Sequence, residues 1–273
     1  MRNFRKKILT VLTIMVSMFT GTIAFAYQGI DEFSIHDPIH NTIAPCFLAA
    51  LRATVDGFPA AGQPVYREHV NQIRELRIYG QNINSLDGIE HFRDLQRLFA
   101  QNNNISGRVN LNFNKELRNV VLQGNNITVL DMEGLYYLTH LNAAGNYISS
   151  LYLADARELR GLSVSNNRLV YLNVNGLSNL RVLWAENNQL RNLNLAGLSI
   201  TRLLLADNYF ETINITGLPL VALDLAGNYI TDPATYIIGF TELEPALSTD
   251  WEYTVGSNNA WVRNRLASGV RLY

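Results

Sequence analysis

One spacing governs this chain. Leu138, Leu141, Ala143, Asn146 and Ile148 return as Leu159, Leu162, Val164, Asn167 and Leu169, and again as Leu180, Leu183, Ala185, Asn188 and Leu190. The unit reads Leu-x-x-Leu-x-Leu-x-x-Asn-x-Leu. It starts at Ile73, Leu95, Leu117, Leu138, Leu159, Leu180, Ile200 and Leu220, with steps of 22, 22, 21, 21, 21, 20 and 20 residues. Its middle alternates as a short strand does, so that Leu203 and Leu205 point inward and Leu204 outward. A single unit offers about five aliphatic side chains, each worth roughly 1.5–3 kcal/mol when fully buried. Ordering the backbone costs about 1–2 kcal/mol per residue. A unit therefore needs neighbours stacked in register to cover its apolar row.

A fixed period of about 20–29 residues with this signature marks a leucine-rich repeat solenoid. The expected fold class is α/β: a right-handed leucine-rich repeat solenoid with parallel strands on the concave face and a helical N-terminal cap. The convex segments are short. Leu151-Tyr-Leu153, Leu172-Asn-Val174 and Ile213-Asn-Ile215 alternate over three residues and the last two run on to a glycine, which suits extended pieces. Ile83 to Phe92 reads as a 3₁₀ back. The ninth position is Asn in seven of the eight units: Asn103, Asn125, Asn146, Asn167, Asn188, Asn208 and Asn228, with Gln81 in the first. Where the chain bends away from the strand, backbone groups leave water. An amide side chain carries both the donor and the acceptor to satisfy them. A buried Asn ladder is expected.

The chain opens with Arg2, Arg5, Lys6 and Lys7, an apolar run from Ile8 to about Phe19, and the small-residue site Ala24-Phe25-Ala26. These are the parts of a secretory signal peptide, with cleavage expected after Ala26. The mature chain then has 273 − 26 = 247 residues and a charge of 18 − 23 = −5. The expected organisation is a signal peptide over 1–26, a helical cap over 27–72, eight repeats over 73–230 and a C-terminal cap or tail over 231–273. In the cap, helices are expected over about Ile43 to Val55 and Val65 to Gln72. Beyond the repeats, Asp232-Pro233 resembles a helix start, with the helix running to about Phe240. The tail contains Trp251, Tyr253 and Trp261 and lacks the repeat. Cys46 is the only cysteine, so no intramolecular disulfide forms, and it reads as a buried apolar side chain.

Recognition points to the outward strand positions, which form columns on the concave face. Two groups stand out by residue type. Arg77, Tyr79, Arg97 and Phe99 lie near the first units; Val182, Trp184, Arg202 and Leu204 lie further along, and His140 sits between. Trp, Tyr and Arg are enriched at binding hot spots. Tyr147, Tyr209 and Tyr229 share the position after the ladder Asn and suggest an aromatic rim or packing between turns. Catalytic signatures are missing: there is no Gly-x-Ser-x-Gly, no His-Glu-x-x-His and no phosphate-binding glycine loop. His36 and His40 are separated by Pro38 and supply too few ligands for a metal. Asp131 and Glu133 read as surface charge. No cofactor and no metal is expected. A nucleic-acid partner, which calls for a basic stripe, is not expected either.

The repeats from Ile73 to Ile230, with the cap elements Asp37-Pro38, Leu48-Ala-Ala-Leu51 and Val65 to Val70, resemble the secreted bacterial leucine-rich repeat proteins of the internalin-like group. That resemblance implies a secreted or surface-attached protein that binds another protein through its concave face, in adhesion or host contact. The ladder and core positions carry over; no binding residue does. The reading is therefore a secreted, non-enzymatic recognition module, a monomer, with no membrane insertion once the signal is cleaved. Two alternatives compete: a polysaccharide-active enzyme or carbohydrate binder on a parallel β-solenoid, and a structural spacer of a surface assembly.

Overall fold

A computed structural model describes residues 38–230 together with the strand segments 237–238, 251–255 and 261–265. The signal peptide, His36 and Asp232-Pro233 lie outside the described residues. In chain order the elements are α1 (Pro45–Thr54), α2 (Arg67–Val70), β1 (Glu75–Arg77), β2 (Arg97–Phe99), β3 (Ser106–Asn110), β4 (Asn119–Val121), β5 (Asn126–Asp131), β6 (His140–Asn142), β7 (Ser150–Tyr152), β8 (Gly161–Ser163), β9 (Val182–Trp184), β10 (Arg202–Leu204), β11 (Ile213–Asn214), β12 (Ala222–Asp224), β13 (Ile237–Ile238), β14 (Trp251–Val255) and β15 (Trp261–Arg265). Short 3₁₀ turns occur at His40–Thr42 and Ile89–His91, the second within the predicted 3₁₀ back.

Each unit contributes one three-residue strand, and these strands pair parallel in the order β1-β2-β4-β6-β8-β9-β10-β12. The pairing preserves the repeat position for position. Leu98 faces Val120, then Leu141, Leu162, Leu183, Leu203 and Leu223. Those central residues are buried, and so are the sixth-position residues from Ile78 to Leu225. The core is a continuous apolar column from Ile39 to Ile230.

The bend after each strand has two requirements. The first concerns the residue before the ladder Asn. Gly80, Asn102, Gly124, Gly145, Asn166, Asn187, Asp207 and Gly227 all adopt φ between 51° and 68°. In that left-handed region only Gly, and less readily Asn or Asp, is at ease. The second is polar. The Asn146 Nδ2 donates to the carbonyls of Leu122 (3.0 Å) and Ala143 (3.1 Å), and its Oδ1 accepts the Ile127 N–H at 3.1 Å. The same pattern repeats from Asn103 to Asn228, each side chain joining its own coil to the one before. In the first unit Gln81 is exposed, and its N–H is taken by the Asn103 Oδ1 at 2.8 Å.

On the convex side β3, β5 and β7 form a small parallel sheet. Asp131 is buried there and ion-paired with Arg108, so it is a fixed partner of the convex sheet and not the surface charge expected. The cap closes the first coil with Phe47, Leu48, Ala50 and Leu51 of α1, and the Phe47 and Phe92 rings lie 5.7 Å apart. Cys46 is half-buried rather than buried, and its thiol donates to the Asn84 Oδ1 at 2.8 Å. The expected helix to Phe240 is corrected at its end. Ile237–Ile238 is a strand, β13, pairing parallel with β11, so pairing to the edge of β11 prevails there over helix formation. The tail also holds a second departure: β15 pairs antiparallel with β12, and β14 with β15, which extends the main sheet by two strands.

Candidate functional site on the concave face

Outward positions of the strands form ordered columns, because the strands are in register and lie about 4.8 Å apart. Near the first units, Glu75 gathers both Arg77 and Arg97 into ion pairs, and the Arg77 guanidinium lies 5.5 Å from the centre of the Phe99 ring. The hydrogen bond from Arg77, helped by both guanidinium charges, holds the Glu75 carboxyl below its usual range. Three of the four predicted residues are thus joined, with one carboxylate shared between two guanidiniums. Tyr79 stands exposed beside them.

The middle of the face has a different character. The register aligns His140 with Gly161 and Val182, and Asn142 with Ser163 and Trp184. Gly161 and Ser163 are small, whereas their neighbours on both sides are large. The result is a depression of about 500 Å³ whose walls include His140, Asn142, Val121, Val182 and Trp184. A Cβ on Gly161 would lie 3.1 Å from the His140 ring, so the imidazole leans over the missing side chain. Asn142 Nδ2 donates to Gln123 Oε1 at 3.0 Å, which fixes one wall. Trp184 is half-buried, and its indole N–H has no partner among the described residues. Burial, reinforced by the nearby Arg160 charge, pushes the His140 pKa down, leaving a neutral imidazole near pH 7. Beyond Trp184 the register sets Arg202 beside Val182 and Leu204 beside Trp184, all half-buried. His140 and the pair Val182 and Trp184, distant along the chain, meet in the depression.

At the strand exits of the last units lies a third group, one that the residue types alone did not single out. Ser165 Oγ donates to Glu186 Oε2, and Asp224 Oδ1 accepts the Ala226 N–H at 3.0 Å. Burial pushes both carboxyl pKa values up, and the neighbouring charges, Asp224 on Glu186 and Asp207 on Asp224, push the same way. The signal lay in the spacing, since Glu186 and Asp224 are close to two repeat lengths apart on adjacent outward columns. A carboxyl whose folded pKa is raised favours the folded state at low pH, and that advantage is lost as pH rises through the folded value. Glu186→Gln keeps an acceptor for Ser165 and removes the charge. It is expected to raise the denaturation midpoint at pH 7, with the gap closing as the pH falls below the ordinary carboxylate range. An equal gap at both pH values would contradict this.

The exposed tyrosines after the ladder do pack between turns. The Tyr209 and Tyr229 rings stack at 5.7 Å, and Arg168 sits 4.5 Å over the Tyr147 ring. No group of three or more metal-ligating side chains occurs among the described residues.

No family model matches the chain, and no curated protein matches its sequence. Solved structures do match. A leucine-rich repeat protein of Leptospira interrogans is 20% identical with a TM-score of 0.52, over 59% of this chain and 51% of that one. YopM from Yersinia enterocolitica is 24% identical with a TM-score of 0.49, over 66% of this chain and 41% of that one. Internalin C2 of Listeria monocytogenes is 23% identical with a TM-score of 0.43, over 71% of this chain and 95% of that one. The chain thus spans about half the length of the Leptospira protein. Together with the register of the parallel strands, the likeness to that protein shows the fold to be a leucine-rich repeat solenoid.

Proposed function

We propose that the chain is a secreted, non-enzymatic recognition module that binds another protein through its concave face. The observation that carries this reading is the central depression, lined by half-buried Val182 and Trp184 with Leu204 in register on the next strand, on a backbone held by the Asn ladder. Apolar and aromatic side chains on a rigid sheet lose little freedom on binding, which is what hot spots require. Arg202 and His140 supply polar contacts at the margin. The first-unit group of Arg77, Tyr79, Arg97 and Phe99 forms a secondary contact, because its ion pairs must be kept or replaced when a partner arrives. Secretion rests on the signal-like start of the sequence, and contact with a cell surface or host on the resemblance to internalin-like proteins.

A carbohydrate binder is the second reading, favoured by the amides of Gln101, Asn119, Gln123 and Asn142 in the same depression. Trp184→Ala is the discriminating variant. In a pull-down with the mature chain followed by titration of the captured partner, it should weaken binding by about tenfold or more at unchanged strand content. Equal affinity removes the depression from the site. Capture of glycans with no protein partner selects the second reading.

A further inference from the structure

Charge is unevenly spread over the concave sheet. The residue before each strand forms a column of its own, bonded from coil to coil: Arg118 N–H to the Gln96 carbonyl at 2.8 Å, Arg160 to Thr139 at 2.8 Å, and Arg181 to Arg160 at 2.9 Å. Arg118, Arg160 and Arg181 are exposed. Two of the three are held by neighbours. The Arg118 guanidinium lies 5.3 Å from the Tyr137 ring centre, and Arg181 Nη1 donates to the carbonyls of Ser178 and Leu180 at 3.0 and 3.2 Å. The next column adds Arg97 and Arg202. These two entry columns hold a single carboxylate, Glu75, which is taken by Arg77 and Arg97, while Asp94, Glu116 and Glu158 lie two residues before the first of them. Arg118, Arg160, Arg181 and Arg202 have no carboxylate within 4.0 Å among the described residues. The exit side is opposite in sign: its two outermost columns hold Glu186 and Asp207 and no cation, with Asp224 adjoining.

We infer that the concave face takes a protein segment that is itself polarised, with Asp or Glu side chains along the Arg118–Arg160–Arg181 edge and an apolar side chain in the depression beside Trp184. This rests on the recognition reading above. A uniform polyanion fits poorly, because it would carry negative charge onto the Glu186 and Asp224 flank. A protein segment can place a carboxylate on one side only. The spacing agrees. Rungs two coils apart, as Arg118 and Arg160 are, lie roughly 10 Å apart, and an extended chain rises about 3.3 Å per residue. A segment running along the stack therefore presents every third residue to that pair.

The test is selection of short random peptides displayed on phage against the full mature chain, followed by titration of the selected peptides. They should be rich in Asp and Glu beside Leu or an aromatic residue. The double variant Arg118→Glu, Arg160→Glu should weaken them by about tenfold or more and flatten the loss of binding with rising salt. Strand spectra should be unchanged, because both side chains are exposed. Selected peptides that need Trp184 but show no acidic bias, or bind the double variant equally, overturn this inference and leave the recognition reading standing. Heparin competing as well as the peptides for the arginine edge overturns it in favour of a plain polyanion site. Peptides indifferent to Trp184→Ala, or no selection at all, count against both readings.

Discussion

Asn146→Ala lowers the unfolding free energy by about 1–3 kcal/mol, the usual cost of leaving buried polar groups unpaired. The alanine removes the acceptor of the Ile127 N–H and the donor to the carbonyls of Leu122 and Ala143, in a place where Asn146 is only 5% exposed. Asn146→Asp sharpens the test. A carboxylate still accepts from Ile127 but sets a negative charge against two carbonyl oxygens, so at pH 7 it should cost more than alanine. Burial among acceptors raises the pKa of that Asp in the folded chain. Its penalty is therefore largest above the raised value and shrinks as pH falls toward the ordinary carboxylate range. Denaturation midpoints at pH 7 and in mild acid measure both effects. An alanine variant as stable as the parent would show that the rung is not needed.

Leu183→Ala should cost more, about 2–5 kcal/mol, through lost transfer energy and the cavity left behind. Leu183 is fully buried and lies between Leu162 and Leu203 in the stack. Each coil touches only its neighbours, so the damage should be local at first. Hydrogen exchange is the right readout. Protection should fall in the coils of β8, β9 and β10 and persist around β1 and β2. A uniform fall over all coils would mean that the solenoid opens as one cooperative unit.

Part of the concave site is legible in the repeat alone. The columns follow from a period-2 strand repeated at constant spacing, so Trp184 beside Leu204 and Arg77 near Phe99 need no more than counting. What counting does not supply is depth and charge state. The depression exists because Gly161 and Ser163 fall between larger neighbours on both flanks, and the order of residues in a column does not weigh side-chain volume across three strands. Glu75 likewise reads as one more outward residue until its carboxylate is seen holding two guanidiniums.

The repeat by itself determined the architecture. An apolar row that no single unit can cover forces stacking, and an Asn at seven of the eight bends supplies the donors and acceptors that stacking removes from water. The left-handed residue before the ladder position is Gly, Asn or Asp in all eight units. Tertiary structure alone decided what happens where the period stops. Ile237–Ile238 becomes a strand because β11 offers an edge to pair with, and 251–255 and 261–265 add two antiparallel strands to the sheet because β12 offers another. Pairing to an open edge depends on what lies beside a segment in space, and the local pattern of a non-repeating tail holds no record of that neighbour.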